Sequence, residues 1–171
     1  MLLVGAAAVA LATGPGDDSE EPAPPPPPPT AGRTTSVPAA GIAVRVPRGW
    51  SASRSRRSVV LRGPGRSAAI TVVAPPGGRG NAPVLRSALD ELRRRYRVQR
   101  AGPGDGRRLA GLPTASAVVS ARSRRARIKV LVAAVQGRRR SWLVEVFAAE
   151  GAPAARLVEG QVALGSLRLR G

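Results

Sequence analysis

The sequence predicts an α+β fold in which helices pack on an antiparallel sheet, preceded by a disordered N-terminal tail. Residues 128–151 contain two runs of β-branched and other apolar residues around the polar turn QGRRR, a pattern typical of a β-hairpin. Both runs are apolar on two faces, so we expect the hairpin in the middle of the sheet. Apolar residues at helical spacing over 85–96 predict a helix that lies across it.

Residues 1–40 are predicted to precede the folded domain, which we expect to span 41–171. Residues 1–13 hold the apolar run LLVGAAAVALA, which resembles a secretory signal or the remnant of a membrane anchor. An Ala-rich disordered terminus is the alternative. Residues 14–40 are interpreted as an acidic, Pro-rich linker, because four acidic residues precede six consecutive prolines that favour extended polyproline geometry. A docking motif for an SH3-like partner is the alternative role of the proline tract.

Within the domain, alternation of apolar and polar residues and the turn signals between them place the sheet strands. Asn81 is a plausible N-cap for the first helix, and Pro83 suits its first turn. A second helix follows Pro153, although Gly160 in its middle lowers helix propensity. Trp50 and Trp142 are predicted to be buried in the core. Besides the hairpin, strands are predicted at 42–46, 58–62, 68–74 and 115–121.

The composition excludes several classes of enzyme. Cysteine and histidine are both absent, which removes thiolate chemistry, disulfides, the usual general base and the commonest metal ligand. Glu145 alternates with apolar residues and could face a cleft, but an ion pair with a nearby arginine is the favoured role. The acidic residues show no spacing that suggests paired-carboxylate catalysis or a calcium cage. We therefore predict no catalytic, metal-binding or cofactor-binding residues, and no enzyme activity.

The charge balance is strongly basic, with 28 basic residues against 10 acidic residues and a formal net charge of +18. Lys129 is the single lysine, and every other basic residue is arginine. This bias is also consistent with GC-rich coding, so it does not by itself establish a ligand. A net charge of this size nevertheless attracts anionic partners.

The arginines form four clusters, and three of these lie in predicted loops. A solvated surface is the ordinary explanation, and binding to an acidic envelope polymer or an anionic lipid is the functional one. Nucleic acid is disfavoured, because the four aromatic residues of the chain are predicted to be core residues and leave no stacking platform. The candidate polyanion-binding residues are Arg138, Arg139, Arg140, Arg122, Arg124 and Arg125.

The sequence VPRGW at 46–50 ends the first predicted strand. It resembles the Pro-x-Gly-Trp strand end of PsbP-like domains, a family that includes the extrinsic photosystem II protein, a Ran-binding nuclear-import protein and exported actinobacterial lipoproteins of the LpqN type. The resemblance covers 41–171. It implies an antiparallel sheet sandwiched by helices and a function in binding or assisting other proteins, with no shared catalytic residues. The lipobox cysteine of the lipoprotein members is absent here.

These observations predict a non-enzymatic domain that is extracellular or membrane-anchored facing outside the cytoplasm, and that binds an envelope protein or another ligand. The alternative is a basic polyanion-binding protein, whose ligand would be an acidic envelope polymer, an anionic lipid or nucleic acid.

Overall fold

The computed structural model describes residues 32–77, 80–105, 108–123 and 126–171. Within these ranges the chain forms strands and two α-helices, in the order β1 Thr34–Val37, β2 Ile42–Arg45, β3 Ser51–Arg54, β4 Ser58–Arg62, β5 Ala68–Val73, α1 Asn81–Arg95, β6 Arg97–Pro103, β7 Thr114–Arg122, β8 Arg127–Gln136, β9 Ser141–Ala149, α2 Ala154–Gly165 and β10 Arg168–Leu169.

The main sheet has seven strands in the order β3-β4-β5-β9-β8-β7-β6, and every neighbouring pair is antiparallel. The predicted hairpin forms β8 and β9 and lies in the middle of this sheet, as its two-sided apolar pattern indicates. A second sheet has the order β1-β2-β10. The hairpin therefore joins the two halves of the main sheet.

Helices cover both faces of the main sheet. On one face α1 packs on β6–β9 through a cluster that includes Ala88, Leu92 and Val130. On the other face α2 and the small sheet cover a cluster that includes Ile70 and Val144. The α+β class with an antiparallel sheet between helices is thus confirmed.

The N-cap of α1 lies one residue before its predicted position. Gly80 is the N-cap, with a φ of 79° that favours glycine, and Asn81 is the first helical residue. The N-cap assigned to Asn81 is therefore wrong. The buried stripe of this helix consists of Val84, Ala88 and Leu92, and the helix ends where Tyr96 becomes extended.

The folded domain begins before the predicted boundary at residue 41. Strand β1 pairs in register with β2 from Thr34 onwards, and both Val37 and Ala40 are buried. The boundary at 41 is thus wrong, because β1 is too short and too polar to stand out from the linker composition. The predicted signal-like segment 1–13, the linker residues 14–31 and their predicted disorder lie outside the described residues.

Two edge strands also lack a clear sequence signal. Strand β3 is mostly exposed and has the sequence SASR. Strand β6 carries a β-bulge between Val98 and Arg100, which interrupts its alternation. Burial supplies the period-two pattern, so strands with little burial escape detection from sequence.

Both tryptophans are buried, as predicted, with exposed fractions of 6% for Trp50 and 0% for Trp142. The indole Nε1 of Trp142 donates a hydrogen bond to the backbone oxygen of Ala40 at 2.8 Å. Its ring also lies against the turn glycine Gly137, where a Cβ would come within 2.6 Å of the ring. The hairpin turn and the start of the domain therefore pack on one side chain.

Replacing Trp142 by Ala should lower the free energy of unfolding by about 3–5 kcal/mol, because a large buried ring is lost and a cavity remains. Chemical denaturation of parent and variant measures this difference. Val158→Ala is the control, since Val158 is 50% exposed on α2 and its truncation should cost less than about 1 kcal/mol. A Trp142→Ala protein that unfolds at the parent's midpoint would show that the domain does not depend on this side chain.

Candidate functional site

Three consecutive arginines, Arg138, Arg139 and Arg140, occupy the turn between β8 and β9. The turn is closed by a hydrogen bond from the Gly137 N–H to the Arg140 carbonyl at 2.9 Å. Arg138 and Arg139 are exposed, whereas Arg140 is half-buried. The Arg140 guanidinium donates to the backbone oxygen of Ala39 at 2.8 Å, which fixes its direction. We call these three residues the turn cluster.

Two neighbouring cavities open at the turn cluster. One of about 430 Å³ is lined by Gly80 and by the turn from Gln136 to Ser141. The other, of about 290 Å³, is lined by Arg57, Arg139 and Arg140 together with apolar residues. Among the described residues that line the two cavities, none is acidic. The site is therefore a pair of concave, positively charged surfaces.

The cations at these cavities are mostly free of internal partners. Within the described parts of the chain, the guanidinium groups of Arg57, Arg138 and Arg139 make no hydrogen bond or ion pair. A guanidinium presents five donors in a planar fork that fits carboxylate and phosphate oxygens. The turn cluster can thus engage an anionic ligand without breaking contacts of the fold.

Arg122, another predicted polyanion-binding residue, is not part of this site. Arg122 ends β7, at the opposite end of the hairpin from the turn cluster. Strand β8 has 10 residues, and a rise of about 3.3 Å per residue separates the two ends by about 30 Å. Arg124 and Arg125 lie outside the described residues. The six candidates therefore do not form one surface.

The structure groups Arg122 with Arg127, which is close to it in the sequence, and with Arg97, which is not. Arg122 is the cross-strand partner of Arg97 on β6 and of Arg127 on β8. We call these three residues the strand-end row. The Arg127 Nη1 atom lies 3.7 Å from the Glu150 Oε2 atom. Both side chains are about 60% exposed, so this ion pair contributes little to stability. The register of the strands brings Arg97 beside the other two arginines, and this register cannot be read from the amino-acid composition.

The acidic residues of α1 are engaged in surface ion pairs. Asp90 pairs with Arg93, and Glu91 pairs with both Arg94 and Arg95. Hydrogen bonds from these two arginines lower the pKa of Glu91. All of these side chains are at least 40% exposed, so the pairs are screened by solvent.

Glu145 does not form the ion pair expected for it. It is half-buried on the α1 side of β9, between Leu143 and Phe147, and has no hydrogen-bond or salt-bridge partner among the described residues. Burial raises the pKa of Glu145, and the more distant charge of Arg95 only partly opposes this. The carboxylate therefore costs stability when it is ionised.

Glu159 has a structural role instead. Its carboxylate accepts hydrogen bonds from the Trp50 indole at 2.7 Å and from Arg156 at 2.7 Å. Burial raises the pKa of Glu159, but these two hydrogen bonds outweigh it and the pKa is lowered. The side chain thus connects α2 to the residue that follows the first strand pair.

No metal site and no membrane-spanning helix is found in the described ranges. No group of three or more acidic side chains there is placed to hold a metal ion. Neither α1 nor α2 is long and apolar enough to cross a bilayer.

No protein-family model and no curated protein matches the chain. Solved structures do match. Cyanobacterial PsbP (CyanoP) from Synechocystis sp. PCC 6803 aligns over 82% of this chain and 93% of its own, with a TM-score of 0.54 and 14% identity. The fold is PsbP-like.

Two further structures align with this PsbP-like domain. A protein from Bacteroides thetaiotaomicron matches with a TM-score of 0.54 and 12% identity over 82% of this chain, which spans about half (49%) of that protein. LpqN of Mycobacterium tuberculosis, described as involved in cell envelope biogenesis, matches with a TM-score of 0.45 and 15% identity over 82% of this chain and 86% of its own.

Replacing Glu145 by Gln should raise the melting temperature near pH 7. In the folded protein the pKa of Glu145 lies above the ordinary value of 4.5. The folded state is therefore favoured while Glu145 is neutral, and this stability is lost as the pH rises through the folded-state pKa. Below about pH 4, where Glu145 is protonated in both states, parent and variant should melt together. Thermal melts across this pH range test the sign.

The control for this pH series is Glu150→Gln, since the Glu150 side chain is 62% exposed and its salt-bridge partner among the described residues is the exposed Arg127. It should show no comparable gain near pH 7. A Glu145→Gln variant that is less stable than the parent at neutral pH would mean that the carboxylate has a stabilising partner.

Proposed function

We propose that the protein is a non-enzymatic domain at the cell envelope, exported or membrane-anchored on the outer side, that acts by binding a protein or another ligand. The turn cluster is the observation that carries this proposal. It places the guanidinium groups of Arg138 and Arg139, which have no internal partner in the described chain, at two open cavities whose described lining residues include no acid. Such a surface binds anionic groups and has no group for acid–base chemistry.

The sequence before the domain supports the envelope placement. An apolar run at 2–12 precedes an acidic, Pro-rich stretch, and a PsbP-like domain follows from β1 onwards. A proline-rich spacer of this kind is extended, and it keeps a domain at a distance from the membrane or other structure to which the N-terminal segment is attached.

Export is tested with a reporter fused after Ala31, so that β1 stays out of the fusion, and expressed with the gene's own upstream sequence. A phosphatase that is active only outside the cytoplasm should be active in this fusion. Val4→Asp with Val9→Asp is the control, because charges interrupt the apolar run and should abolish activity. A parent fusion that is active only with a cytoplasmic reporter would exclude the export part of the proposal.

The second candidate function is polyanion binding through the turn cluster, and the two cavities favour it. The domain beyond residue 40 carries 27 of the 28 basic residues but six of the 10 acidic residues, since Arg33 and the four linker acids precede it. There are therefore too few carboxylates in the domain to pair with most of its guanidinium groups. A surface that is basic only by coding bias would attract all polyanions about equally and weakly at physiological salt, where screening acts over about 8 Å.

Changing Arg138, Arg139 and Arg140 to Ser should weaken one polyanion far more than the others if that polyanion is the ligand. For a DNA-like chain the slope of log affinity against log salt should fall by up to about three contacts. The measurement is a salt titration against anionic vesicles, a teichoic-type polymer and duplex DNA.

The matched control for the triple variant changes Arg93, Arg94 and Arg95 to Ser. It removes the same charge from another run of three arginines, each of which already has an acidic partner on α1. Equal losses in both triple variants, or equal losses for all three polymers, would leave only non-specific attraction.

A further inference from the structure

One face of β6, β7 and β8 is turned away from α1 and is not covered by it. Val119 and Ala121 of β7 are buried in the cluster beneath α1. Successive strand residues point to opposite faces, so Val118, Ser120 and Arg122 lie on the other face. Helix α2 packs on β5 and β2. Within the described residues this leaves the open face, defined here as that side of β6–β8 with the adjoining part of β9.

The strand-end row forms one margin of the open face. Arg97, Arg122 and Arg127 are directly opposed across three neighbouring strands, and all three are exposed. Like charges directly opposite each other destabilise a sheet. Among the described residues, Glu150 is the acidic residue that contacts the row, through Arg127. The row therefore holds positive charge that a bound anion would relieve.

A second line of cations lies one step further into the open face. Arg100 and Lys129 are the cross-strand partners of Ser120 on its two sides. Both are exposed, and neither has a side-chain hydrogen bond or salt bridge in the described ranges. Five cations on three strands thus converge on one end of the face.

An apolar row follows the cations. Val118, Leu131 and Val146 are cross-strand partners in turn, and Val146 leads to the buried Ile70 beneath α2. Val118 is 43% exposed, one of the few large apolar side chains exposed in the described chain. Two interstrand spacings place Val118 about 10 Å from Val146. The five cations therefore lie at the end of the open face, and the apolar row lies next to them further along the strands.

We propose that the open face binds a single-chain anionic amphiphile. The oxyanion of its head group is held by the strand-end row with Arg100 and Lys129, and its acyl chain lies along Val118, Leu131 and Val146. The inference concerns a different site from the turn cluster, and it stands whether or not the domain is exported.

The order of charge and apolar surface favours this occupant over others. A free inorganic anion would use the cations and leave the apolar row exposed. A nucleic acid would need aromatic stacking or a longer basic track, and the four aromatic residues lie away from this face. A flat bilayer would need protruding apolar residues, whereas Val118 lies within a strand of the sheet.

The test is isothermal titration calorimetry of the full chain with three probes. Dodecyl phosphate, kept below its micellar concentration, carries both head and tail. Inorganic phosphate carries the head alone, and dodecyl maltoside the tail alone. Dodecyl phosphate should bind at least about tenfold more tightly than either of the others, since charge-assisted hydrogen bonds and apolar burial act together.

Arg122→Gln should weaken binding of dodecyl phosphate about tenfold through the head group, and Val118→Asn about threefold through the chain. Arg86→Gln and Val158→Asn are the matched controls. They make the same changes at exposed positions of α1 and α2, outside both proposed sites, and should bind like the parent.

Arg122→Glu guards against loss of folding. It places a carboxylate between Arg97 and Arg127, so it should raise the melting temperature by a few degrees while abolishing binding of dodecyl phosphate.

The proposal is overturned if dodecyl phosphate binds the parent no more tightly than the single-feature probes, or if the Arg122 and Val118 variants bind like the parent. Duplex DNA that competes with dodecyl phosphate and loses affinity in Arg122→Gln but not in Val118→Asn would reassign the face to a polyanion. A further variant replaces Asp17, Asp18, Glu20 and Glu21 by Ser. If the parent binds none of the probes but this variant binds dodecyl phosphate tightly, the open face is occupied by the chain's own acidic segment instead.

Discussion

The packed indole of Trp142 holds together parts of the chain that are far apart in sequence. Its ring is fully buried, its N–H bonds to the Ala40 carbonyl, and the turn residue Gly137 and the final Gly171 both lie against it. The beginning of the domain, its end and the central hairpin thus meet at one side chain. An indole N–H buried without this carbonyl would be costly, so the position of β1 and the rotamer of Trp142 depend on each other.

The same contact explains why a run of three arginines can form a defined surface. Arginine side chains are long and lose much conformational freedom when they are ordered. Here the backbone beneath them is fixed, because Gly137 allows the turn to close on the Trp142 ring and Arg140 is tied to Ala39. Arg138 and Arg139 therefore project from a rigid base towards open cavities, which reduces the entropy that a ligand must overcome.

Burial decides how much of this molecule was predictable. The central hairpin, both helices and the two tryptophans have dense apolar patterns, and each was predicted from them. Strands β1, β3 and β6 are short, exposed or bulged, and their patterns resemble loops. The turn cluster was predicted because its three arginines are consecutive. In the strand-end row, Arg122 and Arg127 are close in the sequence, whereas Arg97 becomes their neighbour only through the register of three strands, which tertiary packing sets.

The bulge in β6 has a consequence for the behaviour of the protein at high concentration. Strand β6 is one outer strand of the main sheet, and an unpaired strand edge is a template on which another chain can add. Here the irregular step at Val98 to Arg100, the exposed arginines on either side of it and Pro103 at the end all hinder such addition. The positive charge at this margin thus also keeps neighbouring copies apart, so colloidal solubility and the capture of an anion draw on the same side chains.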